Sequence, residues 1–475
     1  MESSGGHARM RETSVIEVNL SAIDRNVALL REIVGPGCGL CPIVKADAYG
    51  LGGARVARRL AASGVDLLAV YSPDQAASLA RGAVAAPVLV LMPVYDITRT
   101  DDLYRALVSG QLHLTLHDEP HFERLVKIAE RFGAVIPVHL EIDTGMSRGG
   151  ASPTEAIRLL RRVAATRWLR LAGIFTHFSN ARTDAARTSA QLAAFDAVLD
   201  EPGVVIPSDC VRHVASTYSL LRHSRFHRSM VRFGLAWAGY GADDLTRGSD
   251  GEQCAFDGTV TPTGEIVAGA ERLEPSVTWA SRLVQLKTVE AETSVGYGSL
   301  WTAPRRSVLG LVPVGYADGY PVTRVPSPGS TGPGSTGHGS TGHGSTGHGS
   351  TGHGSSGHGS RGAPPLVAVL VGASGAERRL FAPVVGAVNM DQLTIDLTDV
   401  VGASSPGDTG VAVGTRVELI TADCAAPNHL PRIAAAAGTI PHEMLCRLNP
   451  SIRRAYLSEG KAVELSPPSI AAVAS

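Results

Sequence analysis

The chain has 475 residues, 44% of them hydrophobic and 18% charged, which is enough for two domains around a sizeable core. A formal net charge of -1 supplies no basic field for a nucleic acid, and no apolar run reaches the length of a membrane span. The polar start MESSGGHARMRETS lacks the apolar stretch of a signal peptide, so the reading is a cytoplasmic protein without nucleic-acid or membrane partners.

Residues 1–15 read as an N-terminal tail able to join a later β domain. From residue 16 two patterns alternate. The apolar runs CPIVKA, VDLLAVY, APVLVLM, VIPVHLEI and RLAGIFTHF have the character of buried strands. Between them GARVARRLAAS, SPDQAASLARGA and PTEAIRLLRRVAATR have helical spacing. Repeated strand–helix units with apolar strands imply parallel β-structure covered by helices. The stretch 16–245 approaches the ~250 residues usual for a closed (β/α)8 barrel. An open doubly wound sheet is the rival, but the first strand–helix turn has no G-x-G-x-x-G.

Near residue 241 the composition shifts to the polar, glycine-rich GADDLTRGSDGEQCAFDG, a linker or long loop. Beyond it SVTWASRLVQLKTVE, SVLGLVPVGYA, LVAVLVGAS, QLTIDLTDV and TRVELITA are strand-like, with little helical pattern until PRIAAAAG. A mostly β C-terminal domain over 246–475 is therefore expected. Within it 327–362 repeats STGHG, with histidines at 338, 343, 348, 353 and 358. This segment has no apolar surface to offset ordering entropy and reads as a disordered surface loop, not as a metal scaffold. Lengthening such a loop costs only about 0.6 kcal/mol per doubling. Of the six cysteines only Cys38 and Cys41 form a C-x-x-C pair, which leads into a strand, so no metal site is expected and the thiols read as small core or loop residues.

Eight short motifs carry chemistry. VKADAYG places Lys45 at a strand end, where desolvation lowers the pKa of an amine and lets it attack a carbonyl. A snorkelling lysine is the plain alternative. IDTGMSRGG ends another strand in a turn with Arg148, whose alternative is a structural ion pair. IFTHFSNA sets His177 just after a strand. RHVASTYS offers the hydroxyls of Ser216, Thr217 and Ser219, and MVRFGLAWAGYG carries Arg232 and Gly234. Hydroxyls and glycine N–H groups at barrel strand ends are what a phosphate needs. In the second half stand SVGYGSLW with Tyr297, PVGYADGYP with Tyr316, and VNMDQLTID with Met390 and Asp391.

In this order, from about Ile16 to Tyr456, these motifs resemble the alanine racemase family of pyridoxal-phosphate (PLP) enzymes. The resemblance implies a (β/α)8 TIM-like barrel plus a mostly β domain. It also implies PLP as cofactor, an amino acid as substrate, and a head-to-tail homodimer supplying D-alanine for peptidoglycan. By position, Lys45 resembles the lysine that binds PLP and acts as base on one substrate face. Tyr297 resembles the tyrosine base of the opposite face, supplied by the other subunit. His177 matches the histidine that hydrogen-bonds that tyrosine, and Arg232 the arginine at the pyridine nitrogen. Tyr49, Thr217, Gly234 and Leu235 match positions around the phosphate. Arg148, Met390, Asp391 and Tyr316 match substrate-side positions.

The chain departs from the pattern in places. Glu141 stands where the family commonly has a carbamylated lysine, so a direct pairing of Glu141 with Arg148 is expected. Pro450 stands near the position of a tyrosine common beside the phosphate. Thr217 replaces serine and Phe233 replaces proline. A racemase of broader or shifted specificity, for example towards serine, shares every catalytic residue. A decarboxylase on the same barrel should lack the Tyr297 and Arg232 roles, and a PLP-binding homeostasis protein should lack the β domain.

Overall fold

The computed structural model describes residues 13–242, 267–322, 364–372, 377–402 and 410–465. The STGHG repeat and most of the glycine-rich stretch after residue 242 lie outside these residues. The described residues fall into two compact units, one within 14–280, 420–431 and 440–475, the other within 281–419 and 432–439 together with residue 13.

In the first unit β1 (Ser14–Asn19) leads into a helix, Leu20–Val34. Eight parallel strands follow: β2 (Gly39–Pro42), β3 (Leu68–Val70), β4 (Val88–Val90), β5 (Leu112–Leu116), β6 (Ile136–Glu141), β7 (Leu169–Phe175), β8 (Val211–His213) and β9 (Met230–Phe233). Strands β3 to β8 pair in sequence and β2 pairs with β9. One seam closes through the parallel bridge Ile43–Ala69 and the 2.9 Å bond from Val44 N–H to Ala69 C=O. The other closes through Arg232 N–H to Ala215 C=O at 3.3 Å. The expected (β/α)8 barrel is thus complete. Strands β3 and β4 read as unbroken apolar runs because both faces are covered, one by the barrel interior and one by helices.

Local chemistry sets the helices. In Pro153–Ala165 the hydroxyl of Ser152 accepts from Glu155 N–H, Pro153 begins the first turn, and Ala156, Leu159, Leu160 and Val163 form the buried stripe. In Glu119–Phe132 the Asp118 carboxylate caps His121 N–H at 2.7 Å, and Gly133 ends the helix at φ +61°.

The segment after β2 is unusual. Ala46, Asp47, Ala48 and Tyr49 all have φ between +52° and +57°, a left-handed turn beginning at Lys45. Such a conformation costs about 1–2 kcal/mol per non-glycine residue. It is held by Asp47, whose carboxylate accepts from Gly53 N–H at 2.6 Å, and by the buried Tyr49 ring, which stacks on Trp237 at 5.9 Å. Gly52, at φ +96°, completes the turn. A Cβ there would meet the Tyr456 hydroxyl oxygen at 1.8 Å. Gly52→Ala is therefore expected to lower unfolding stability by about 2 kcal/mol or more, read as a drop in denaturant midpoint. An unchanged midpoint would show that the turn is not constrained there.

After β10 (Val277–Arg282) the second unit begins. Its strands are β11 (Gln285–Val289), β12 (Ser294–Val295), β13 (Trp301–Thr302), β14 (Ser307–Val312), β15 (Leu366–Val371), β16 (Arg378–Val385), β17 (Leu393–Asp396) and β18 (Arg416–Ile420). They order as β11-β14-β17-β16-β15-β18 with antiparallel pairing, and β12–β13 forms a separate hairpin. Val289, Trp301, Ala303, Leu309 and Val385 pack together as a core cluster. The mostly β character expected from the sequence is present. Strands β19 (Arg453–Ser458) and β20 (Lys461–Leu465) return to the first unit, where β19 lies parallel to β1.

Candidate active site

The C-terminal ends of the barrel strands surround a cavity of about 590 Å³, within the range of small-molecule sites. The connectivity delivers its walls strand by strand. Lys45 follows β2, His117 follows β5, and Glu141 ends β6. His177 follows β7, Ser216 and Thr217 follow β8, and Arg232 and Gly234 come from β9 and its end. Arg148 lies on the turn beyond β6.

At one side of the cavity Arg232 is buried and fixed. Its Nη2 donates to Thr176 C=O at 2.7 Å and lies 3.4 Å from His177 Nδ1. Its Nη1 donates to His213 C=O and sits 3.0 Å from His213 Nδ1. Burial pulls the guanidinium down to about 10, so it stays a cation near neutrality. Burial, then the charges of Arg232, Arg148 and Lys45, push His177 down to about 3, so its ring is neutral. The half-buried Lys45 amine is held below the usual lysine range by burial and by Arg148, while Cys446 opposes the shift.

Another part of the wall is a cradle. Thr217 Oγ1 accepts from Gly234 N–H at 3.1 Å and from Ala236 N–H at 3.4 Å. Leu235 is fully buried in the short turn Leu235–Ala238. A Cβ on Gly234 would meet the Tyr49 hydroxyl oxygen at 2.2 Å, so only glycine lets that phenol approach. Hydroxyls and backbone N–H groups in the cradle fit a phosphate, the Lys45 amine fits an aldehyde, and Arg232 fits a ring-nitrogen acceptor. The donor set thus matches pyridoxal phosphate.

One expectation is corrected. Glu141 does not pair with Arg148. Its Oε2 lies 3.2 Å from His117 Nδ1, and among the described residues no ion pair joins it to Arg148. Glu141 and His117 occupy the ends of adjacent strands, whereas Arg148 lies past a turn organised by Asp143, which accepts N–H bonds from Gly145, Met146 and Ser147. Pro450 is exposed and does not line the cavity. The C-terminal residue that does is His442, on the helix Pro441–Cys446, edge-on to Tyr49 at 5.6 Å. His117 and His442 were missed because neither stands in a motif. HLTLH carried the signal for His117, a polar residue closing an apolar strand.

Tyr297, Tyr316, Met390 and Asp391 belong to the β unit and do not line this cavity. There they converge. Tyr316 N–H and Ala317 N–H donate to Asn389 C=O and Met390 C=O, each at 3.0 Å. Gly386, just before the Met390 loop, lies so near Val295 C=O that a Cβ would be 2.9 Å from the oxygen. Backbone contacts therefore bring the segments of three motifs distant in sequence together within the β unit. Tyr297 is 78% exposed, and Met390 and Asp391 are also exposed.

The buried imidazoles carry a pH consequence. Burial, their largest cause, pushes His113, His177 and His442 down to about 4, about 3 and about 4, and His139 and His213 well below their ordinary value. The unfolded chain binds protons near pH ~6.5 that the folded chain refuses, so stability is lost as pH falls below that value. The urea midpoint is expected to be clearly lower at about pH 5 than at about pH 7. A flat profile would contradict the neutral, enclosed state of these rings.

A closed barrel with an amine, guanidinium groups and a hydroxyl–glycine cradle at its strand ends, joined to an antiparallel β unit, defines a two-domain barrel enzyme. Residues 18–242 match the alanine racemase N-terminal domain profile, and residues 276–330 and 371–456 match the alanine racemase C-terminal domain profile. The alanine racemase of Symbiobacterium thermophilum is 30% identical over 448 residues, covering 93% of this chain and 97% of that protein. That of Halothermothrix orenii is 28% identical over 449 residues, covering 94% and 98%. The solved alanine racemase of Clostridium difficile 630 superposes with a TM-score of 0.70 at 22% identity, covering 96% of this chain and 99% of that one. The Bartonella henselae alanine racemase with covalently bound pyridoxal phosphate gives 0.65 at 23% identity, covering 94% and 99%. The chain belongs to the alanine racemase family.

Proposed function

We propose that this protein is a PLP-dependent alanine racemase that interconverts L-alanine and D-alanine with two bases. In this reading it acts as a cytoplasmic homodimer and supplies D-alanine for peptidoglycan. The observation that carries the reading is the grouping of Lys45, Arg232 and His177 around one cavity, while Tyr297 stands exposed on the β unit of the same chain.

When bound, pyridoxal phosphate supplies the electron sink that makes an amino-acid Cα–H acidic. Lys45, Tyr49, Thr217, Gly234, Leu235, His177 and Arg232 would hold it. Inverting a stereocentre with one base needs that base to cross the substrate plane, whereas two bases need no motion. Lys45 holds or takes the proton on one face. Its amine is already lowered by burial and by Arg148. The partner's Tyr297 serves the other face. Exposed aromatic and apolar groups on segments that lie together mark an interaction site, which supports a second copy bringing Tyr297, Tyr316 and Met390 to the barrel mouth. The Arg232 cation donates to His177 Nδ1, which leaves Nε2–H of the neutral ring to donate to the phenol oxygen. Arg232, which keeps its own proton, would give the cofactor's ring nitrogen only a hydrogen bond. Arg148 faces the substrate carboxylate.

The test is interconversion of L- and D-alanine by the purified protein loaded with PLP, alongside absorbance of the lysine-bound cofactor. Racemisation to an equal mixture from either enantiomer is expected. A protein that binds PLP at Lys45 yet leaves both enantiomers unchanged would refute the reading.

A further inference from the structure

Arg232 is the inner end of a longer construction. His213 Nε2 lies 2.9 Å from His139 Nδ1, and His139 Nε2 lies 2.9 Å from His113 Nδ1. His113 sits near the start of β5, His139 midway along β6, His213 at the end of β8, and Arg232 within β9. The row therefore climbs through the barrel from the far end towards the cavity. It skips β7, and the structure makes room for the skip. Gly173 of β7 faces His139 so closely that a Cβ would stand 2.2 Å from Nδ1. Phe175 stacks on His213 at 4.9 Å, and His139 and His213 are buried.

A neutral imidazole has one donor and one acceptor nitrogen, and a guanidinium only donates. Arg232 therefore fixes His213 Nδ1 as an acceptor and Nε2 as a donor. His213 Nε2–H then requires an acceptor at His139 Nδ1, and His139 Nε2–H requires one at His113 Nδ1. Every contact is satisfied by one tautomer pattern, with all three protons on Nε2. The opposite pattern sets a donor of His213 against the donor of Arg232.

We propose that His113, His139 and His213 form a one-way hydrogen-bond chain that keeps His213 an acceptor for Arg232, and that His113, its outer end, is a positioning residue for that guanidinium. A proton added to His113 Nδ1 reverses the row and turns a donor against Arg232. The charged neighbour at the outer end is Arg170 of β7, itself 3.6 Å from Asp209, and its charge joins burial in holding His113 down to about 4. At the inner end Glu141 favours the Arg232 cation and Arg148 opposes it, while the Cys41 thiol, pushed up to about 12 by burial, carries no charge near neutrality. The kinetic consequence rests on the proposed role of Arg232, but the tautomer pattern does not.

The test uses 15N-histidine-labelled full-length protein loaded with PLP. Nitrogen NMR shifts near neutral pH are expected to report Nε2–H at His113, His139 and His213. An Nδ1–H tautomer at His139 or His213 overturns the proposal, whether or not the protein racemises alanine. His113→Phe removes the terminal acceptor. It is expected to give a tautomer mixture at His139 and to lower kcat across the pH profile by about twofold or more, because in part of the population a donor then faces Arg232. His113→Gln, whose amide oxygen can accept from His139, is expected to restore both. If His113→Phe leaves the His139 signals and kcat unchanged, or His113→Gln fails to rescue them, His113 has no positioning role.

Discussion

Lys45→Ala is expected to abolish racemisation, lowering kcat/KM in both directions by more than about 10³-fold. The residue follows β2 at the cavity wall, and burial together with Arg148 disfavours its charged form. In the proposed mechanism, alanine removes both the amine that would carry PLP and the base of one substrate face. It also removes a cation held in an unfavourable place, so the variant should be at least as stable to urea as wild type when both are cofactor-free. Loss of activity with a retained midpoint assigns the effect to chemistry. Mass spectrometry after borohydride reduction should find the cofactor on the Lys45 peptide of wild type and on no peptide of the variant. Retained racemisation would remove Lys45 from the mechanism.

Tyr297→Phe is expected to lower kcat by about 10²–10⁴-fold, the usual contribution of one acid–base group. Because Tyr297 is 78% exposed on its own subunit and phenylalanine keeps the ring, the substitution should leave the stability of the subunit within about 0.5 kcal/mol. The equilibrium constant between enantiomers is unity, so both directions must fall together. The signature of two bases lies in deuterium exchange. With Lys45 intact, one enantiomer should still exchange its Cα hydrogen with D2O without inverting, while the other should not. Equal, wild-type rates in both directions would mean that the second base is another group.

The barrel was legible because its apolar runs are the strands themselves. VDLLAVY holds β3, APVLVLM holds β4, VIPVHLEI holds β6 and RLAGIFTHF holds β7. Strands β5 and β8 were harder to read. LHLTL carries a histidine inside the barrel, and VRH is three residues long, so neither presents an apolar run. In the β unit RRLFAPVV begins with two exposed arginines and contains proline, which hid β16. Residues attached to strand ends, such as Lys45, His177, Thr217 and Arg232, were legible from local motifs, and the structure groups them around one cavity. Partners made across the barrel were not. His117 meets Glu141 only because β5 neighbours β6, and His442 reaches Tyr49 from a helix almost four hundred residues later in the chain. The left-handed run Ala46–Tyr49 was also invisible, since of KADAY only Asp47 is a residue that takes positive φ readily, and tertiary contacts impose the rest.

The proposed site needs the barrel of one subunit and the β unit of another, and this joint origin is most directly tested by mixing two inactive variants. Lys45→Ala and Tyr297→Phe subunits, unfolded together and refolded at equal amounts, form half their dimers as mixed pairs, each with one site that has both bases. Activity should return to about one quarter of wild type, from two preparations that are each nearly inactive. If the mixture stays as inactive as its parents although mixed dimers form, the two bases do not come from different subunits and the account is wrong.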